Sequence, residues 1–278
     1  MTDKVPQFKG TEKYVLDDEL SLILNMTMTL EMPLLLKGEP GTGKTRLAHA
    51  VSEALGMELI VLNVKSSMKL VDALYHYDTL TRLNDSRFGD SERNVNNIED
   101  YIKMGKIGQA FTSEKRVVLL IDEVDKADTD FQDDMLDVLD QMQFDISEID
   151  KTITARHRPV IIITSNSKKD LSDPFLGRCN FHHIAFPDEE LMQEIVGVHF
   201  PDLDDTLANQ VVTAFYKMRE LPGIEKRPAT RELINWIRAL TSDPEFKSGG
   251  LIEEKIPYLG ILFKRSEDLK KGREAMDR

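Results

Sequence analysis

Residues 33–55 read "PLLLKGEPGTGKTRLAHAVSEAL". A short aliphatic run leads into a glycine-rich loop, and apolar Leu47, Ala48, Val51 and Leu55 then recur at helical spacing before Gly56 stops the pattern. From Gly38 to Thr45 the loop fits G-x-x-x-x-G-K-[ST], with a buried strand before it and a helix after it. Few folds accommodate that succession. Its glycines let consecutive backbone N–H groups converge on phosphate oxygens, and the helix N-terminus adds favourable partial charge. Lys44 supplies a point charge for the β- and γ-phosphates and Thr45 a hydroxyl for Mg²⁺. The competing reading, a plain flexible turn, does not account for the flanking strand and helix. The expected nucleotide-binding set is Gly38, Glu39, Pro40, Gly41, Thr42, Gly43, Lys44, Thr45 and Arg46.

The same rhythm continues along the chain. Apolar runs at 33–38, 58–64, 117–122, 159–166 and 182–187 read as five strands, mostly unbroken Val, Ile and Leu. Unbroken runs predict strands covered on both faces, as in a parallel sheet flanked by helices. Residues 129–143 carry a further helical pattern. After Pro187 the strand signal fades into amphipathic stretches, including "DTLANQVVTAFYKMREL" and "ATRELINWIRAL". The expectation is an α/β domain over 1–188 and a smaller all-helical domain over 189–278. Two segments interrupt the alternation: 65–108, polar and without a clear period, and 144–158, with the look of a hairpin.

The second chemical feature is "VVLLIDEVDKA" at 117–127, an aliphatic strand ending in adjacent carboxylates. Ligands of open α/β sheets bind at the carboxyl ends of the strands. Asp122 is placed to join Thr45 in holding Mg²⁺, and Glu123 to polarise a water towards the γ-phosphate. Alone the pair reads equally well as helix capping; beside a phosphate loop it reads as a hydrolytic site. Asn166 ends the next strand, where an amide holds either the attacking water or the γ-phosphate, or simply makes an Asx turn. Arg178, in "DPFLGRCNF", is either a surface arginine or a free guanidinium offered to a neighbouring subunit's γ-phosphate. Arg231 opens a helix with Thr230 as the expected N-cap. A cation in the first turn opposes the helix dipole unless an anion meets it. Phosphate and Glu232 are the two candidates for that anion, and Arg227 is the alternative arginine.

Composition narrows the classes. The chain has 278 residues and a formal net charge of −13, which weighs against a nucleic-acid backbone as ligand. One cysteine, Cys179, excludes an intrachain disulfide. A metal reading of Cys179, His182 and His183 is the weaker one, since a site needs further ligands, and the two histidines point to opposite faces if they lie on a strand. The N-terminal residues carry no signal-peptide apolar region, and no apolar run approaches a membrane span. A soluble, cytoplasmic protein is expected.

Taken together, Gly38–Thr45, the Asp122–Glu123 pair, Asn166, Arg178 and Arg231 resemble the AAA+ ATPases, and among them the MoxR family. The ending "EEKIPYLGILFKRSEDL" is similar to the CoxD-like branch, known in carbon monoxide dehydrogenase maturation. The resemblance implies a P-loop AAA+ domain with a five-stranded parallel sheet and a C-terminal helical lid, and ATP and Mg²⁺ as cofactors. It implies Asn166 as first sensor, Arg178 as arginine finger and Arg231 as second sensor. "YHYD" and "MGKIGQAF" look like the insert of this clade, and 144–158 like its hairpin before the first sensor. Members assemble as rings, usually hexamers, and act as chaperones or remodellers. Their partners often carry a von Willebrand factor A domain, and several promote metal or cofactor insertion into a client enzyme. One departure is that Arg231 follows "KRPAT" rather than the usual glycine- and serine-containing lead-in, which keeps Arg227 in play. Two rivals remain: a DNA-directed AAA+ motor, and a nucleotide-gated scaffold with little turnover.

Overall fold

The computed structural model describes residues 7–11, 14–15, 18–88, 93–166, 171–243 and 256–276. By its contacts the chain divides into two compact units. The first holds 16–38 and Lys44–Ile184 with the extreme N-terminus; the second holds Thr11–Val15, Glu39–Gly43 and Ala185–Arg278.

Five parallel strands build the first unit: β1 (Leu34–Gly38), β2 (Leu59–Asn63), β5 (Val118–Asp122), β8 (Val160–Ser165) and β9 (Asn180–Ile184), in the order β2-β5-β8-β1-β9. The burial of each strand follows its place in that order. All six residues of central β8 are buried, as are four of five in β5 and in β1. The edge strands β2 and β9 alternate instead. Both-face burial therefore holds for the inner three strands only, because an edge strand has one neighbour and a thinner cover. On β9, His182 is buried and His183 exposed. This strand starts two residues before the expected 182 and ends at Ile184. Phe186, expected within it, instead packs into the core of the second unit.

Helices α1 (Asp18–Leu30) and α2 (Lys44–Leu55) bury one stripe each, Leu20, Leu24 and Met28 on the former and Leu47, Ala48 and Val51 on the latter. The expected helix over 129–143 is α6 (Thr129–Gln141), capped by the Asp128 carboxylate on the Phe131 N–H at 2.9 Å. It stops early because Met142 turns left-handed at φ 52° and Gln143 opens a strand.

The segment 65–108, polar and without a clear period in sequence, holds short regular elements. It runs through α3 (Leu70–Leu74), β3 (Tyr75–Tyr77), α4 (Thr79–Phe88), a 3₁₀ turn (Ile98–Tyr101), β4 (Ile102–Met104) and α5 (Lys106–Thr112), with β3 antiparallel to β4. Three-residue strands are too short to show a period, and α4 buries none of its side chains. The hairpin at 144–158 consists of β6 (Gln143–Ile146) and β7 (Lys151–Thr154). Phe144 of β6 stacks on Tyr75 of β3 at 6.2 Å between centroids, so the two insertions share one apolar contact. A five-residue α7 (Asp173–Gly177) precedes β9.

In the second unit, α8 (Glu189–His199), α9 (Asp205–Arg219), α10 (Thr230–Ser242), α11 (Leu259–Leu262) and α12 (Ser266–Met276) enclose Met192, Val211, Phe215, Trp236 and Ile237. Asp188 and Asp204 cap α8 and α9. Asp268, fully buried, accepts the backbone N–H groups of Glu225 and Lys226 at 2.9 and 3.0 Å and so fixes the loop ahead of α10. The expected ending over 253–278 lies partly outside the described residues. Among the described residues no helix is long and apolar enough to cross a membrane.

Candidate functional site

Register assembles the chemistry. Strand β5 pairs with β8 as Ile121↔Ile163, and β1 pairs with β8 as Leu36↔Thr164. The carboxyl ends of β1, β5 and β8 thus lie side by side, with Asp122 beside Thr164. Asp122 Oδ1 accepts from the Thr164 hydroxyl at 2.7 Å and from the Thr45 hydroxyl at 2.9 Å. Thr164 Oγ1 in turn accepts the Glu123 N–H at 2.8 Å. Glu123 is left-handed, at φ 59°, a conformation uncommon for a residue with a side chain and concentrated at functional sites. Its carboxylate is held from two sides: Asn166 Nδ2 donates to Oε1 at 2.8 Å, and the Lys126 ammonium pairs with Oε2. That hydrogen bond to Glu123 is the main cause raising the Lys126 pKa above its ordinary value. Buried Asp125 accepts the Asn166 N–H at 3.2 Å, which fixes the end of β8.

Thr45, Asp122, Glu123 and Asn166 are therefore brought into one hydrogen-bonded chain. Lys44 begins α2, is 5% exposed, and donates from Nζ to the Gly38 carbonyl at 2.9 Å. Gly38 closes β1, and Arg46 is exposed on α2. The loop between has the backbone that the motif needs, with Gly41 at φ 89° and Gly43 at φ 90°. Pro40 is exposed, and Thr42 Oγ1 donates to the Glu39 carbonyl at 3.1 Å. A Cβ on Gly41 would meet the Ala229 Cβ at 2.7 Å, and one on Gly43 would meet the Tyr14 ring at 3.5 Å. The donor set fits Mg²⁺, whose preference is for carboxylate and hydroxyl oxygen; Thr45 and Asp122 are the residues that offer it.

Two expectations need correcting. Arg178 is not a free guanidinium in this chain: Nε lies 2.7 Å from Asp140 and NH2 3.4 Å from Asp137, both on α6. Thr230 is not the N-cap of α10 but its first helical residue, and its buried hydroxyl has no hydrogen-bond partner among the described residues. Ala229 takes the cap position, and Glu232 Oε2 accepts the Ala229 N–H at 3.1 Å. Glu232 is thus spent on the backbone. Arg231 and Arg227 are both exposed, and neither forms an ion pair among the described residues. Cys179 is buried, which pushes its thiol up to about 12.

Several residues of this region were not singled out from sequence. Thr164 had a visible signal, because Thr164 and Ser165 are polar residues that follow an aliphatic strand run; the structure buries both. Lys126 lies three residues after Glu123, within reach across one turn. Arg219 falls on the apolar stripe of its helix with Val212, Phe215 and Tyr216, a charge where spacing calls for a hydrophobe.

Comparison with known proteins gives the family and the fold. Residues 34–187 match the model of the "ATPase family associated with various cellular activities (AAA)". The chain is 28% identical over 189 residues to Lon protease 1 of Bacillus subtilis (strain 168), covering 65% of this chain and 22% of that protein. It is 27% identical over 165 residues to the Lon protease of Mesomycoplasma hyopneumoniae, covering 52% of this chain and 15% of that protein. The chain thus spans less than a quarter of either protease. Among solved structures, a mutant of Thermotoga maritima RuvB superposes with a TM-score of 0.55 at 18% identity, over 98% of this chain and 73% of that one. The Thermotoga maritima RuvB Holliday junction branch migration motor superposes with a TM-score of 0.51 at 18% identity, over 92% of this chain and 67% of that one. At that identity the likeness establishes fold: a P-loop AAA+ sheet flanked by helices, with a helical C-terminal region.

Proposed function

The chain belongs to the AAA ATPase family, and we propose that it hydrolyses ATP as a MoxR-type remodelling ring that acts on a protein client during metalloenzyme maturation. The observation that carries the hydrolytic part is the bonded series Thr45–Asp122–Thr164–Glu123–Asn166. A second carboxylate held in a left-handed backbone beside the first is the group that activation of an attacking water calls for. In this reading Gly38–Thr45 grip the phosphates, Thr45 and Asp122 hold Mg²⁺, and Glu123 takes a proton from the attacking water. Bound Mg²⁺ supplies positive charge that neutralises the phosphates as the bond breaks. Asn166 orients the Glu123 carboxylate. Arg178 serves a neighbouring subunit once it leaves Asp137 and Asp140, and Arg231 or Arg227 meets phosphate as second sensor.

The client-directed part draws on the insertion. Leu80, Leu83 and Phe88 of α4 are exposed, at 75, 46 and 72%. A helix that displays three large apolar side chains on an inserted hairpin suits contact with an unfolded or loosely held segment of a client. A hexameric ring, a von Willebrand factor A domain partner and a carbon monoxide dehydrogenase-like client complete the proposal, with the cytoplasm as compartment. The likeness to a branch migration motor favours a DNA-directed alternative, against which the net charge of −13 stands.

The test is phosphate release with Mg²⁺-ATP, with Lys44→Ala as baseline. Turnover above that baseline supports the hydrolase. Glu123→Gln should bind ATP with near-native affinity, turn over at about 1% or less, and retain the ring with its client attached. No turnover above the Lys44→Ala baseline, with nucleotide bound, leaves the scaffold reading instead. A salt-sensitive stimulation by DNA revives the DNA-directed one.

A further inference from the structure

Arg219 ends α9 and is 6% exposed. Burial of an arginine is costly unless every face of the guanidinium is answered, and here three groups answer it. NH2 lies 2.6 Å from Glu39 Oε2, NH1 donates to the Pro228 carbonyl at 2.6 Å, and the ring of Phe186 lies 3.4 Å beneath the central carbon. Only a planar, delocalised fork serves a carboxylate, a carbonyl and an aromatic face together.

Two of those groups bear on the phosphate loop. Glu39 is the second residue of "GEPGTGKT" and sends its carboxylate to Arg219 rather than leaving it loose beside the phosphate-binding amides. Pro228 precedes Ala229, the residue that Gly41 packs against so closely that no Cβ would fit. One guanidinium thus fixes the loop at Glu39 and also the backbone that supports it at Gly41.

We propose that Arg219 is a positioning residue for nucleotide: it tethers Glu39, compensates its charge, and sets the shape of the phosphate loop from the end of α9. This rests on the nucleotide-binding reading above but not on hydrolysis. It also assigns Glu39 a task that the motif leaves open, since that position is unconstrained in G-x-x-x-x-G-K-[ST].

The two roles open to Glu39 differ in sign. If its carboxylate merely stands near phosphate, Glu39→Ala removes repulsion and tightens binding. If it is the tether, Glu39→Ala loosens the loop and weakens binding. The experiment is a double-mutant cycle on the full chain, which reads the affinity for Mg²⁺-ADP by calorimetry and the ADP-induced shift in melting temperature. Arg219→Met and Glu39→Ala are each expected to weaken ADP binding by about tenfold or more. The double variant should be no weaker than the worse single variant, because both remove the same link. Arg219→Lys keeps charge and bulk but loses the fork. It should fold, and should bind ADP with an affinity between those of Arg219→Met and the wild type, which keeps the test open if Arg219→Met does not fold. Tighter binding by Glu39→Ala, or purely additive losses in the cycle, overturns the proposal. If the wild-type chain binds ADP no better than Lys44→Ala, the nucleotide reading itself falls and this inference with it. If the wild type binds and the variants match it, only the role of Arg219 is lost.

Discussion

Asn166 Nδ2 donates to Glu123 Oε1 at 2.8 Å across 43 residues of sequence. The amide thereby fixes the plane of the carboxylate cast as general base, while Lys126 holds its other oxygen. Asn166→Ala should reduce kcat by about tenfold to a hundredfold, with KM for ATP within about threefold of wild type, since positioning of the base matters only in the transition state. Steady-state kinetics decide it. An equal rise in KM with unchanged kcat would place Asn166 on the bound phosphate instead.

The Arg178 guanidinium is engaged by Asp137 and Asp140 in the isolated chain. Both carboxylates are well exposed, so the pairing is weak and exchangeable. Arg178→Ala should leave ADP affinity unchanged and reduce turnover by about a thousandfold. Asp140→Asn should raise turnover by up to a few-fold at concentrations where subunits associate. Intact activity in Arg178→Ala removes it from the finger role.

Gly108 sits in α5 where a Cβ would lie 2.1 Å from the Leu74 carbonyl oxygen. A backbone oxygen in the packed α3–α5 contact has no room to yield. Gly108→Ala should therefore destabilise the first unit by about 1–3 kcal/mol, read as an earlier urea midpoint. An unshifted midpoint would mean that α3 and α5 separate easily.

Burial pushes the Cys179 thiol up to about 12 from an ordinary 9.0, and Tyr216 up to about 12 from 10.0. In both cases the folded chain holds its proton more tightly than the unfolded one. Their contribution to stability is complete below about pH 9 and is lost as pH rises through the folded values. Thermal melts should fall steadily above about pH 9. Cys179 should resist a thiol reagent at about pH 8 until denaturant is added. Rapid labelling of the native chain would show that its site opens.

Much of the fold was legible. The phosphate loop, the carboxylate pair and the inner strands are each written in consecutive residues, and β1, β5 and β8 lie within the expected runs. Less legible were the ends of edge elements. β9 is shifted because an edge strand needs only one buried face, so its apolar signal is thin. The segment 65–108 hides its hairpin because its strands are three residues long and α4 buries nothing.

The sequence by itself determined that a glycine-rich loop of the form G-x-x-x-x-G-K-[ST] joins a strand to a helix from Gly38 to Thr45, and that two carboxylates follow a buried strand. A motif of that kind needs only neighbours in the chain, through backbone conformation and helix polarity. The tertiary structure alone decided the partners. Thr164 reaches the Glu123 N–H from 41 residues away because the β5–β8 register aligns them. Arg178 pairs with two carboxylates of α6. Arg219 meets Glu39 across 180 residues because its helix closes a core that no local pattern specifies. Charge pairing depends on distance in space, and no spacing along the chain encodes that.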